Sequence, residues 1–401
     1  DDEIFGDNGA NVLEGRAGAD VLSGGAGNDT ITSGNGADTV TPGLGTDSVV
    51  LTESVSAADI VIINTDPETA TEGDSEMVTV SGEGNNVGED TITTFTTGTD
   101  TIRIVATDVE SFVHATDTDL GDGTSASTDD ENSEGFATNV GLINMDGETA
   151  DQFNDDGDVA INFSSPTTTV TEALFEAALQ YNVTGTTTAD TITTGALADT
   201  IKGGLGADTI SGGSGADVFI LSSGLTVDTI GDYANESDQF QIDLSDLNTA
   251  NAAQAATTIT IIGFGAAGAA ATDIAGGTTE AAVTITGATA HAAIANKNIL
   301  LLDAAAGFAT VAAAVDSFEN AGDETITHQS NIAADDAFLF AYENSTTGLV
   351  HIALANFSAA DDNNGGAAVI PDNLLEGIDL ATLTGVTDVT VLATADFDFI
   401  T

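Results

Sequence analysis

The chain contains no cysteine and no tryptophan, and only four prolines among its 401 residues. Without cysteine neither a disulfide nor a thiolate metal site can form, so sulfur does not staple this fold. Basic side chains are almost missing as well. Four Lys and Arg stand against 65 Asp and Glu, for a formal net charge of -61. That sign excludes nucleic acid as a partner, because phosphate backbones are gripped by positive charge. No apolar run is long enough to cross a bilayer; the best candidate, residues 298–315, is interrupted by Asp303. Catalytic constellations are missing too. The four histidines (His114, His291, His328 and His351) are scattered, with no HExxH spacing, and no G-x-S-x-G elbow occurs. A carboxylate pair for glycoside cleavage cannot be singled out among so many acids. The expectation is a protein that is not an enzyme.

What is present argues for folding. Hydrophobic residues make up 41% of the chain, more than an acidic disordered polymer carries. A compact body with this charge repels itself unless something neutralises it. Carboxylates and backbone carbonyls are the ligands that hard divalent cations prefer. The 45 glycines point to a turn-rich β protein.

The glycines are periodic. From Gly6 the chain steps in nine-residue units: GDNGANVLE, GRAGADVLS, GGAGNDTIT, SGNGADTVT, PGLGTDSVV. The sixth place holds Asn11, Asp20, Asp29, Asp38 and Asp47; the eighth holds Leu13, Leu22, Ile31, Val40 and Val49; the fourth is always glycine. Residues 1–5 fit the same frame, with Asp2 at the sixth place, so the sequence reads as opening in mid-repeat, as a fragment or the ordered part of a longer protein does. A second array starts at Gly185: GTTTADTIT, TGALADTIK, GGLGADTIS, GGSGADVFI, with Asp190, Asp199, Asp208 and Asp217 in step. Both arrays run into similar closing segments, residues 88–104 and 227–244, which read as capping strand pairs.

The glycine-rich six residues of each unit predict a tight turn, and the last three a short strand with its eighth residue inward. Two units make one coil, so residues eighteen apart stack: Asn11 with Asp29 and Asp47 on one edge, Asp2 with Asp20 and Asp38 on the other. Stacked aspartates repel unless a cation sits among them, which couples metal binding to folding.

These nonamers resemble the RTX (hemolysin-type calcium-binding repeat) family, whose unit is GGxGxDxUx with U a large apolar residue. The resemblance implies a right-handed parallel β-roll with Ca2+ between stacked turns. One turn would lend its second, fourth and sixth residues and the stacked turn its first, third and sixth. One ion would then lie among Asp7, Gly9, Asn11, Gly24, Ala26 and Asp29. A second would lie among Arg16, Gly18, Asp20, Ser33, Asn35 and Asp38, and a third among Gly25, Gly27, Asp29, Pro42, Leu44 and Asp47. The same pattern joins Asp2 to Gly15, Ala17 and Asp20. In the second array the sets are Thr186, Thr188, Asp190, Gly203, Leu205, Asp208, and Gly195, Leu197, Asp199, Gly212, Ser214, Asp217. The cap aspartates Asp90, Asp100, Asp228 and Asp238 are further candidates. Three departures from the pattern stand out. Asn11 carries no charge, Pro42 replaces a glycine, and Thr188 and Leu197 are expected to take a left-handed backbone at a cost.

The expected fold class is all-β: two calcium-stabilised parallel β-rolls with capping strands, a C-terminal β-rich module, and one short helix in an insertion. The expected divisions are 1–107 (first roll and cap), 108–184 (acidic insertion), 185–250 (second roll and cap) and 251–401. The insertion carries acidic loops at 129–131 and 154–158, read as solvated turns, and a helix predicted over Val170–Tyr181. In the last module, alternating runs at 258–261 and 283–286 predict strands, and residues 380–401 a strand, turn and strand. The resemblance also implies type I secretion from a C-terminal signal, which the apolar end at Phe397–Thr401 suits, and an extracellular or cell-surface location on a Gram-negative-type bacterium. The leading expectation is a surface-layer, filament or matrix subunit that assembles with copies of itself when calcium is present. The alternatives are the C-terminal part of an adhesin that binds cell-surface glycan, and the calcium and secretion domain of a larger hydrolase.

Overall fold

The computed structural model describes residues 1–43, 45–52, 54, 57–65, 78–79, 86–87, 91–96, 99–109, 111–115, 142–144, 162–164, 179–221, 226–234, 237–243, 260–263, 272–273, 282–286, 297–319, 324–328, 331–332, 336–362 and 368–400. They fall into two compact units. The first comprises Asp1–Thr186, Asp190–Ile201 and Gly212–Gly215; the second comprises Thr187–Ala189, Lys202–Ser211 and Ala216–Thr401.

In the first unit every nonamer ends in a three-residue strand: β1 (Glu3–Phe5), β2 (Val12–Glu14), β3 (Val21–Ser23), β4 (Thr30–Thr32), β5 (Thr39–Thr41) and β6 (Ser48–Val50). Strands eighteen residues apart pair in parallel, with Leu22 opposite Val40 and Leu13 opposite Ile31. The eighth-place side chains Leu13, Leu22, Ile31, Val40 and Val49 are all buried, which fills the narrow interior between the two sheets. Beyond the repeats the odd-numbered sheet continues through β7 (Ile60–Thr65). The even-numbered sheet continues through β8 (Thr91–Thr93). Then β9 (Thr101–Val109) and β10 (Leu179–Gly185) extend the first of them, all in parallel. The interior column thus runs on through Val61, Ile102 and Leu179. A predicted cap is in fact the next coil.

The second array forms β11 (Thr191–Thr193), β12 (Thr200–Lys202), β13 (Thr209–Ser211) and β14 (Val218–Leu221). In the second unit β13 pairs in parallel with β15 (Asp228–Ile230), and β14 with β16 (Gln239–Asp243). Here β17 (Thr260–Gly263), β18 (Ala282–Ile285) and β19 (Ile299–Leu302) build the C-terminal module, followed by helix α1 (Val311–Phe318). Three long strands complete it: β20 (Asp336–Asn344), β21 (Leu349–Phe357) and β22 (Leu375–Leu383), antiparallel in sequence order. Thr310 caps α1, its side chain accepting the Ala313 N–H, and Phe318 packs edge-on against Phe338 and Phe340. The chain ends in β23 (Phe397–Ile400), parallel to β16.

The fold is therefore mostly β with parallel rolls, as expected. Among the described residues the α-helix is Val311–Phe318, in the C-terminal module. Of the helix predicted over Val170–Tyr181, residues 179–181 open β10 instead, because Leu179, Tyr181 and Val183 alternate into the roll interior as strand residues do. Residues 170–178 and both acidic loops lie outside the described residues.

Candidate metal centre

The sixth-place aspartates form a ladder along each edge of the first roll. The backbone N–H of one coil donates to Oδ1 of the aspartate one coil on. Asp2 donates to Asp20 at 2.6 Å, Asp20 to Asp38 at 2.8 Å, Asn11 to Asp29 at 2.7 Å and Asp29 to Asp47 at 2.6 Å. The carbonyl of the same residue accepts from the seventh-place N–H of that next coil, as in Thr39 to Asp20 at 2.8 Å. A buried strand start thus has both its backbone groups satisfied, and a short side chain with an acceptor oxygen is what the position needs. The ladder outlasts the repeats: Asp38 donates to Asp59 at 2.9 Å, and Asp59 to Asp100 at 3.2 Å. In the second unit Asp208 donates to Asp228 at 3.1 Å and Asp217 to Asp238 at 3.0 Å.

Oδ1 is occupied by the ladder; Oδ2 is not always so. Asp20 and Asp29 are 1% and 2% exposed, and the Oδ2 atom of each has no hydrogen-bond partner. A buried anionic oxygen without a partner is expensive. The space beside it is also defined. A Cβ added to Gly24 would collide with the Pro42 carbonyl oxygen and Asp29 Oδ2, and one added to Gly15 with the Ser33 carbonyl oxygen and Asp20 Oδ2. Each cradle therefore joins a carboxylate oxygen to a carbonyl oxygen of the next coil, across a glycine that leaves the gap clear. Among the described residues no group of three or more His, Cys, Asp or Glu side chains could hold a metal. A cation here would have to draw on backbone carbonyls, which suits calcium with its six to eight oxygens and tolerance of neutral ligands.

The turns come in two forms. In one, the second and fourth places both have positive φ: Arg16 and Gly18 (77° and 128°), Gly25 and Gly27 (96° and 102°), Gly34 and Gly36 (106° and 134°), Gly43 and Gly45 (102° and 132°). Gly204 with Gly206, and Gly213 with Gly215, do the same. In the other form neither place is left-handed, and the second-place N–H donates to its own sixth-place side chain. Asp7 donates to Asn11 Oδ1 at 2.7 Å, Thr186 to Asp190 Oδ2 at 2.7 Å, and Gly195 to Asp199 Oδ2 at 3.1 Å. Thr188 and Leu197 do not take the left-handed backbone expected of them; their turns close on the aspartate and avoid the cost. The non-glycine that does take it is Arg16.

Two of the cap aspartates, Asp100 and Asp238, behave alike. Asp100 Oδ2 accepts from Thr96 N–H at 2.7 Å, and Asp238 Oδ2 from Ala234 N–H at 2.7 Å. Their own N–H groups turn back to the Thr96 and Ala234 carbonyls at 2.9 and 3.1 Å. Both carboxylates are filled by backbone donors, with buried Phe95 and Tyr233 one place ahead of each loop.

Burial pushes the carboxyls of Asp47 and Asp199 up to about 6 and that of Asp228 up to about 8, against the backbone donors of Asp29, Tyr181 and Asp208 that favour the charge. These buried groups resist ionisation. Asp90 and Leu44 lie outside the described residues. Asp59 was missed from sequence because no glycine turn precedes it; its signal is the remaining Asp-Ile-Val, the aspartate and eighth-place apolar pair of a nonamer. His351 is not solitary: its Nδ1 lies 3.4 Å from both Asp379 Oδ2 and the Tyr342 hydroxyl, inside the C-terminal sheet.

Residues 1–31, 14–49 and 184–219, about a fifth of the chain, match the RTX calcium-binding nonapeptide repeat family. The chain carries RTX calcium-binding nonapeptide repeats. The matched segments contain the Gly15 and Gly24 cradles, so the repeats and the orphaned oxygens of Asp20 and Asp29 lie in the same turns. No curated protein matches the chain. Among the described residues no helix is long and apolar enough to cross a membrane.

Proposed function

We propose that this chain is a secreted structural protein of the bacterial cell exterior, which folds around calcium and then assembles with copies of itself into a layer, filament or matrix. The observation that carries the reading is the ladder of buried carboxylates with orphaned Oδ2 atoms at Asp20 and Asp29, in a chain of net charge -61. Calcium supplies positive charge to those oxygens and lets the coils stack. Extracellular calcium sites bind at roughly 10⁻⁴ to 10⁻³ M, so the rolls stay open inside a cell and close outside it. The C-terminal strand supports export before folding. Phe397–Ile400 is paired to Gln239–Asp243 in the folded protein, so a signal there is readable by type I secretion machinery while the chain is still loose. No catalytic role is assigned.

Electron microscopy of the purified chain tests assembly. Ordered sheets or filaments are expected after calcium is added and are expected to dissolve in EGTA. Monodisperse particles at millimolar calcium contradict the assembly role, and glycan binding by such particles points to an adhesin instead.

A further inference from the structure

Resting on the calcium reading above, we propose that the nonamers are not equivalent: calcium enters only turns with a left-handed backbone at the second and fourth places, and the closed turns ending in Asn11, Asp190 and Asp199 exclude it. The closed form fills the metal's seat with a proton donor. In the turns of Asp190 and Asp199 the second-place N–H, with its positive hydrogen, points at Oδ2. Thr186 adds its hydroxyl to both Asp190 oxygens, at 3.0 and 3.2 Å. A cation brought to those oxygens meets a fixed dipole of the wrong sign. In the turns of Asp20 and Asp29, where the second place has positive φ, no donor reaches Oδ2, which lies beside a carbonyl oxygen of the next coil.

In the described turns the open form occurs only where the fourth place is glycine, although that glycine is not sufficient by itself. Gly195 could adopt positive φ without penalty, yet does not; its partner at the fourth place is Leu197, whose Cβ disfavours that region. Arg16 does adopt it, against its own preference, because Gly18 stands at the fourth place. The first nonamer has glycine there (Gly9) and is still closed. Its Asp7 carboxylate holds the turn, accepting from Gly9 N–H at 2.9 Å and from the Asn11 amide at 3.3 Å. Thr188 and Leu197 therefore act as residues that switch a nonamer from a metal site to a self-satisfied coil.

The test is calcium stoichiometry of the full chain by equilibrium dialysis, with far-UV circular dichroism to check the fold. Asparagine keeps the Oδ1 acceptor of the ladder, so Asp→Asn variants preserve the coil. Asp20→Asn and Asp29→Asn are expected to lower the number of bound ions. Asp190→Asn and Asp199→Asn are expected to leave it unchanged, and Leu197→Gly to add an ion by freeing Gly195 and its neighbour to turn left-handed. Loss of ions in Asp190→Asn or Asp199→Asn equal to that in Asp20→Asn overturns the inference, as does a folded Leu197→Gly chain with no added ion. A wild-type chain that binds no calcium overturns the functional reading as well, which separates the two failures.

Discussion

At the scale of single residues, the sixth-place aspartate does two jobs with its two oxygens. Oδ1 accepts a backbone N–H from the neighbouring coil, and Oδ2 is available to a cation or to its own turn. Asparagine keeps an acceptor oxygen for the first job, although Asn11 spends its own on the Asp7 N–H of the same turn, and it brings no charge to a metal. The cost of burying these carboxylates sets a pH dependence. Asp47 and Asp199 hold their protons up to about 6 and Asp228 up to about 8, against 3.8 for an ordinary aspartate, chiefly through desolvation. Each binds its proton more tightly folded than unfolded. The stability this contributes is whole below 3.8 and is lost as pH rises through 6 for the first two and 8 for the third. In EGTA the thermal midpoint is therefore expected to fall between pH 4.5 and pH 8, with the part above pH 6 flattened in Asp228→Asn. A midpoint that rises over that range in EGTA contradicts the account.

At the scale of elements, the caps are the coils in which the ladder is brought to an end. Asp100 and Asp238 each collect two backbone donors, so no cation is needed where no further coil follows the same pattern. Replacing Asp100 by alanine strands the buried N–H of Asp59 and that of Thr96. The expected cost is about 2–6 kcal/mol, from about 1–3 kcal/mol for each of the two groups left unsatisfied. Denaturant titration checks the magnitude, and loss of amide-exchange protection at Asp59 and Thr96 checks the mechanism. Unchanged protection at both amides contradicts it. The ladders were legible in the sequence because a nine-residue period with its apolar eighth place admits one register; Leu22 opposite Val40 follows directly. The closed turns were not legible, because the choice between a strained backbone and a hydrogen bond to Asp190 or Asp199 is made by geometry that residue type alone does not display. The C-terminal sheet was obscure for another reason. Asp336–Asn344 and Leu349–Phe357 are buried on both faces, so they show no alternation that separates strand from buried helix.

At the scale of the whole molecule, a net charge of -61 with four basic side chains leaves almost no internal means of neutralisation. Lys202 reaches Asp243 at 3.2 Å, while Arg103 spends its Nε on the Gln180 amide oxygen at 2.7 Å. The rest of the acid must be met by solvent ions or by bound ones. Calcium that binds the folded chain and not the unfolded one stabilises it by mass action, at about 1.4–2.7 kcal/mol per site when the ion exceeds its dissociation constant ten- to a hundredfold. The most direct measurement is the thermal midpoint of the full chain, followed by far-UV circular dichroism from excess EGTA up to about 10 mM calcium, a range that spans extracellular-module affinities. The midpoint is expected to climb with the logarithm of calcium concentration, and the β signal to weaken in EGTA. A β signal and midpoint identical in EGTA and in calcium would show that the buried carboxylates tolerate each other unaided, and would contradict the account at its base.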